Sequence, residues 1–184
     1  GAPGTRQTVR YAEQAADAGA DGLIAVTPFY FPLDDEGAVE HYRRVAAAVD
    51  CPVYVYQIPS HAGTTLSLSA FDRIAAIDGV AGLKHTSTDL AWLSKAAART
   101  PELTYLVGSN DLLYAGLQTG CAGVVSGLAN AVPELVVDLY AAHEAGDVAR
   151  ARELQHVAYD LLSVMSAGPH MAGVKAALSL RDPG

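Results

Sequence analysis

Cys51-Pro-Val-Tyr-Val-Tyr56 and Val80-Ala-Gly-Leu-Lys84 are two short apolar runs, and Ser69 to Ile77 between them carries helical spacing. Short runs rich in valine, leucine and tyrosine read as strands, and a helix between two strands sets them parallel. Ser69 is the expected cap of that helix, with Asp72 at its third position. The same alternation extends outward. Asp21–Thr27, closed by Pro28, precedes the pair; Leu103–Val107 and Ala122–Ser126 follow it. Helical spacing covers Thr5–Ala20, Asp35–Val49, Asp89–Arg99, Asp111–Thr119, Pro133–Glu144, Asp147 to about Ala167, and Ala172–Leu180. Gly120 and Gly146 stand where helices end.

Five strands, each followed by a helix, recur at spacings of about 20 to 30 residues, which predicts an α/β fold with a parallel sheet. None of the strands alternates cleanly between apolar and polar residues, as expected where both faces are covered. A doubly wound sheet and a (β/α) barrel both fit. No glycine-rich dinucleotide fingerprint follows a strand, which weakens the first. A complete (β/α)8 TIM barrel takes about 250 residues. A chain of 184 residues that opens on a helix is therefore expected to be a partial barrel: one domain over residues 1–184, about five parallel strands plus C-terminal helices, with three N-terminal strands missing.

Composition narrows the function. The net charge is −8 with 51% hydrophobic and 17% charged residues, and no basic stripe appears, which argues against nucleic acid as a partner. No apolar run approaches a membrane span and no signal-peptide pattern opens the chain, so a cytoplasmic location is expected. Cys51 and Cys121 are isolated and read as packing residues. Neither they nor the six histidines show metal-ligand spacing, so no metal and no cofactor is expected. His41, His143 and His156 lie on helical stretches and read as surface residues. Asp34-Asp35-Glu36 reads as a solvated helix start.

In barrels the chemistry sits where strands end. Those ends carry Thr27-Pro-Phe-Tyr30, Tyr56-Gln-Ile-Pro-Ser60, Lys84-His-Thr86, Gly108-Ser-Asn110 and Ser126-Gly-Leu-Ala-Asn130. Lys84 is one of three lysines, and it ends a run that reads as a buried strand. A buried amine is disfavoured as a cation, and a neutral amine attacks ketones to form imines. Taken alone, a lysine at a strand end reads more simply as a side chain reaching solvent. Tyr56 alters the balance: adjacent strands lie about 5 Å apart, and imine chemistry needs a proton donor and base beside the amine. Alternation turns His85 toward the helices, where it packs or forms a hydrogen bond.

Tyr56-Gln-Ile-Pro-Ser, Gly82-Leu-Lys-His-Thr-Ser and Gly123-Val-Val-Ser resemble, in order and spacing, the dihydrodipicolinate synthase / N-acetylneuraminate lyase family. Thr27-Pro-Phe-Tyr30 with Glu36-Gly37 resembles that family's loop after its fourth strand. The resemblance implies a (β/α)8 barrel, a homo-oligomer (dimer or tetramer), and a class I aldolase that holds pyruvate or another 2-keto acid as an imine. It implies Lys84 as the Schiff-base lysine, Tyr56 as the proton-shuttling tyrosine and Tyr30 as the tyrosine that completes the relay across a dimer interface. It further implies Thr86, Gly108, Ser109, Asn110 and Val125 as substrate-binding positions. Lys-x-Thr-Ser-x-Asp-Leu resembles the lyase branch.

Two departures bear on the reaction. The family's Gly-x-Thr-Thr-Gly-Glu carboxylate loop is absent from the sequence, so the fragment alone is expected to be inactive or nearly so. His61 stands where many synthases carry an arginine for a second carboxylate, which favours a keto-acid or sugar-acid lyase over true 4-hydroxy-tetrahydrodipicolinate synthesis. A non-catalytic barrel binding a keto acid or sugar acid is the alternative from another class. A phosphate-binding barrel is the third, with weak support at Ser126–Asn130.

Overall fold

In a computed structural model, which describes residues 1–181, five short strands form a sheet whose order follows the chain. Fourteen regular elements are described: helix α1 (Thr5–Asp17), strand β1 (Leu23–Val26), α2 (Asp35–Ala46), β2 (Val53–Gln57), α3 (Pro59–Ala62), α4 (Leu68–Ala75), β3 (Val80–His85), α5 (Leu90–Arg99), β4 (Thr104–Val107), α6 (Leu113–Gln118), β5 (Gly123–Val124), α7 (Pro133–Glu144), α8 (Val148–Met165) and α9 (His170–Arg181). Pairing of β1 with β2, and of β2 with β3, is parallel. Two 3₁₀ turns, Asn110–Leu112 and Leu128–Asn130, complete the second half. The α/β alternation expected from the sequence is present throughout.

The chain divides into two compact units, Gly1–Leu106 and a second beginning at Val107. In the first, β2 buries Val53, Val55 and Gln57 and leaves Tyr54 and Tyr56 half-buried. The expectation that the strands lack alternation does not hold for this one: its helix-facing side is buried and its other side is not. Val39, Tyr42 and Val45 of α2, Phe71 and Ile74 of α4, and Leu93 of α5 are buried as well, all with negligible exposure. The Tyr42 hydroxyl, completely buried, donates to the carbonyl of Ala25 at 2.9 Å and ties α2 to β1.

Gly82 marks the tightest approach in this unit. A Cβ there would stand 2.1 Å from the Thr104 carbonyl oxygen and 2.7 Å from the Tyr54 ring, so no side chain fits between β3 and its neighbours.

The sequence places several boundaries differently from the structure. Ser67, not Ser69, caps α4, accepting from the Ala70 amide at 3.0 Å. The third residue after the cap is the position whose amide a capping oxygen reaches. α3, with Pro59 in its first turn and Gly63 at φ 69° closing it, is a short helix outside the stretches that carry helical spacing in the sequence. β5 has two residues rather than five. His41 is a further correction: it is 1% exposed, because Ala38, His41, Tyr42 and Val45 share one face of α2.

In the second unit Leu113, Leu117, Leu128, Leu139 and Leu154 form the centre of a separate core between α6, α7 and α8.

Candidate active site

Tyr56 and Lys84 occupy the same rung of the parallel β2–β3 ladder, and Val26 of β1 is the partner of Tyr56 on its other side. Side chains at one rung point to the same face. The Lys84 Nζ accordingly lies over the Tyr56 ring, 3.9 Å from its centroid. Lys84 is half-buried, not buried as its apolar run suggested, because it stands on the side of β3 that the helices do not cover. Two residues on, the Thr86 hydroxyl donates toward the Tyr56 hydroxyl at 3.5 Å, a long and weak contact. Amine, phenol and aliphatic hydroxyl thus meet at the C-terminal ends of two strands.

Beyond β2 the chain turns into α3. Val26, Phe29, Tyr56, Ile58, His61 and Ala62 line a cleft of about 510 Å³. His61 is exposed, with its Nδ1 2.9 Å from the Ser60 hydroxyl. Tyr30 is 76% exposed and meets Phe31 edge to face, with ring centroids 4.8 Å apart. The structure therefore brings Tyr56, Lys84 and Thr86 into contact and places His61 in the cleft beside them, while Tyr30 stands out from this group.

The opposite face of the same strands holds a second rung. Gln57 pairs with His85, and the Gln57 amide nitrogen is 3.5 Å from His85 Nδ1. The Gln57 Oε1 accepts from the Leu66 amide at 3.2 Å, which fixes the orientation of the amide. An amide nitrogen is a donor, so Nδ1 accepts and the neutral ring carries its proton on Nε2. The ring is completely buried and stacks on Trp92, with centroids 5.3 Å apart and planes 4° apart. Burial holds its pKa below the usual histidine range, against the opposing pull of Asp89. The packing expected of His85 from alternation is what the structure has.

In the second unit Gly108, Ser109 and Asn110 lie half-buried just after β4, and Val125 is 37% exposed. The Val125 amide donates to the Val107 carbonyl at 2.9 Å. Asn110 is tied to the loop after β5: its Oδ1 accepts from the Ser126 hydroxyl at 2.8 Å and the Gly127 amide at 3.2 Å. Sequence reasoning missed Gln155. It is 5% exposed, donates to the Asn110 carbonyl at 3.1 Å and accepts from the Tyr114 amide at 2.9 Å. Its position one residue after Leu154, on the face shared with Ala151 and Ala158, was the available signal. Among the described residues no three His, Cys, Asp or Glu side chains gather as a metal cluster, and no helix is long and apolar enough to cross a membrane.

Residues 1–183 match the Dihydrodipicolinate synthetase family. The chain belongs to that family. A dihydrodipicolinate synthetase family relative, an uncharacterized DapA-like lyase of Halobacterium salinarum, is 59% identical over 98% of the chain and 60% of its own length. A 4-hydroxy-tetrahydrodipicolinate synthase of Natronomonas pharaonis is 35% identical over 99% of the chain and 63% of its own length. The chain thus spans less than two thirds of these curated relatives. Among solved structures, YagE, a prophage protein of this family from E. coli K12 in complex with pyruvate, superposes with a TM-score of 0.92 at 26% identity, over 100% of the chain and 63% of YagE. The fold is that of the family's (β/α)8 barrels, of which the described residues carry five strands.

Proposed function

We propose that the whole protein is a Schiff-base aldolase or lyase acting on pyruvate or a related 2-keto acid, with Lys84 as the amine and Tyr56 as its proton-transfer partner. The observation that carries this reading is the Lys84–Tyr56 rung, with Nζ 3.9 Å from the ring centroid. In the cleavage direction the neutral Lys84 amine adds to the ketone carbon of a 4-hydroxy-2-keto acid. The carbonyl oxygen gains two protons and leaves as water, giving a cationic imine. That imine accepts the electron pair of the breaking C3–C4 bond as the 4-hydroxyl loses its proton to a base. An aldehyde departs, leaving an enamine, which takes a proton at C3; water then releases pyruvate and the free amine. Tyr56 is suited to the proton at the carbonyl oxygen and the proton of the 4-hydroxyl, since its ring lies beneath the amine and carries an ionisable hydroxyl.

Thr86 and His61 are proposed as substrate-binding residues of the first unit. Gly108, Ser109, Asn110 and Val125 are proposed as substrate-binding positions on the family resemblance alone. A single barrel domain, a cytoplasmic setting and a homo-oligomer belong to the same proposal. Phe29, Tyr30 and Phe31, at 45, 76 and 73% exposure, support a subunit interface at which Tyr30 completes the proton relay. The pyruvate bound in YagE supports the keto acid.

A second reading, 4-hydroxy-tetrahydrodipicolinate synthesis, is favoured by the name of the Natronomonas relative. His61 weighs against it, because an exposed imidazole is a weaker carboxylate clamp than a guanidinium fork. A panel of 4-hydroxy-2-keto acids and sugar acids, assayed for pyruvate release with Lys84→Ala as control, tests the proposal. Release that depends on Lys84 supports it; binding without release by any substrate favours a keto-acid-binding barrel.

A further inference from the structure

The Tyr56–Lys84 rung is followed at once by the Gln57–His85 rung. One faces the reacting group, the other faces the helices. β3 ends at His85, so this last rung decides whether the strand end that carries Lys84 is held or frays.

The last rung is anchored from three directions. The Gln57 side chain makes a long contact to His85 Nδ1 at 3.5 Å and is itself fixed by accepting from the Leu66 amide at 3.2 Å. The Gln57 carbonyl accepts from the Thr86 amide at 2.9 Å, binding the residue after the strand. The His85 ring lies parallel to Trp92, whose own amide is held by the Asp89 cap at 2.8 Å, and Trp92 in turn meets Phe71 at 5.4 Å. An imidazole stacked on an indole has little freedom to rotate. The two atoms most sensitive to movement of the rung, Lys84 Nζ and Tyr56 Oη, are on long side chains, so small backbone shifts are magnified at the reacting centre.

We infer that His85 is a positioning residue for imine formation: clamped between Gln57 and Trp92, it fixes the β3 end so that Lys84 stays over Tyr56. This rests on the Schiff-base reading above. Neither His85 nor Gln57 touches the proposed substrate position, since both face the helices. His85 acts here as a neutral ring, in keeping with its complete burial.

The test is the rate of borohydride trapping of pyruvate on Lys84 in the full-length protein, measured well below the melting temperature for wild type, His85→Leu, His85→Gln and Gln57→Leu. Trapping of wild type on Lys84 establishes the Schiff-base reading; if it fails, that reading fails, whatever the variants do. With wild type trapped, His85→Leu and Gln57→Leu are expected to trap tenfold or more slowly, with kcat lowered in step and KM changed less than threefold. His85→Gln, which retains a hydrogen-bonding side chain toward Gln57, is expected to recover to within threefold of wild type. Trapping at the wild-type rate in both leucine variants, with lowered melting temperature alone, overturns the inference by showing that the clamp only stabilises the fold. Should His85→Leu not fold, Gln57→Leu and Trp92→Phe decide: the first is expected to trap slowly, the second, which keeps a stacking ring, to trap normally, and wild-type rates in both overturn the inference.

Discussion

The Lys84 amine nitrogen lies 3.9 Å from the centroid of the Tyr56 ring, and the two residues are direct partners in the β2–β3 ladder. Parallel register, not loop conformation, sets this distance. A pair built on two strand ends is held more rigidly than one built on loops. The phenol belongs to the same arrangement, since Thr86, the first residue after β3, reaches its oxygen.

Tyr56→Phe keeps the ring beneath Lys84 and removes the proton carrier. The expected result is a fall of about 10²–10⁴-fold in kcat/KM for carbon–carbon cleavage, the usual worth of a positioned acid–base group, with Tm near that of wild type. Steady-state kinetics on a substrate cleaved by the wild type checks this. An unchanged kcat/KM removes Tyr56 from the chemistry.

Ser67→Ala removes the oxygen that accepts from the Ala70 amide and donates to Asp35 Oδ2 at 2.6 Å. It is expected to cost about 1 kcal/mol. Ser69→Ala, at an exposed helical position, is expected to stay within about 0.5 kcal/mol of wild type. Denaturant unfolding of the two variants separates them, and equal effects mean the cap is misplaced.

Gly82→Ala puts a methyl group into the Thr104 carbonyl and the Tyr54 ring. Neither can move without distorting the sheet, so a destabilisation of about 3 kcal/mol or more is expected. Thermal unfolding provides the measure. Because Lys84 is two residues along the same strand, activity falls with it.

His41 couples stability to pH. Burial lowers its pKa to about 4 in the folded protein, whereas an unfolded histidine titrates near 6.5. Between these values the unfolded chain binds more protons, so the contribution is complete above about pH 6.5 and is lost as pH falls toward 4. At about pH 5 the loss from this one group is about 2 kcal/mol, and His85 shifts in the same direction. Urea unfolding at about pH 7 and pH 5 should show the drop, and His41→Gln should flatten it. Identical pH slopes for wild type and variant contradict the assignment.

The five strands and the long helices were legible because apolar runs and helical spacing alternate, and α7 has the bounds that Pro133 and Gly146 announce. The Tyr56–Lys84 rung was legible because both residues close the apolar runs that mark consecutive strands, although each strand continues one residue further, to Gln57 and His85. What escaped depends on partners distant in sequence. His41 is polar in type, yet its neighbours Ala38, Tyr42 and Val45 place it inside. Gln57 and Gln155 read as ordinary polar residues until the backbone amides they satisfy, those of Leu66 and Tyr114, are seen. β5 shrinks to two residues because the chain turns at Ser126, whose hydroxyl joins Asn110 and the Leu128 amide.

Imine formation between Lys84 and a 2-keto acid is the step on which the proposed reaction depends. The direct measurement is peptide mass analysis of the full-length protein after incubation with pyruvate and borohydride. A mass gain of one reduced pyruvate adduct is expected on the peptide that contains Lys84, absent in Lys84→Ala. An unmodified Lys84 peptide, or an adduct confined to Lys95 or Lys175, contradicts it.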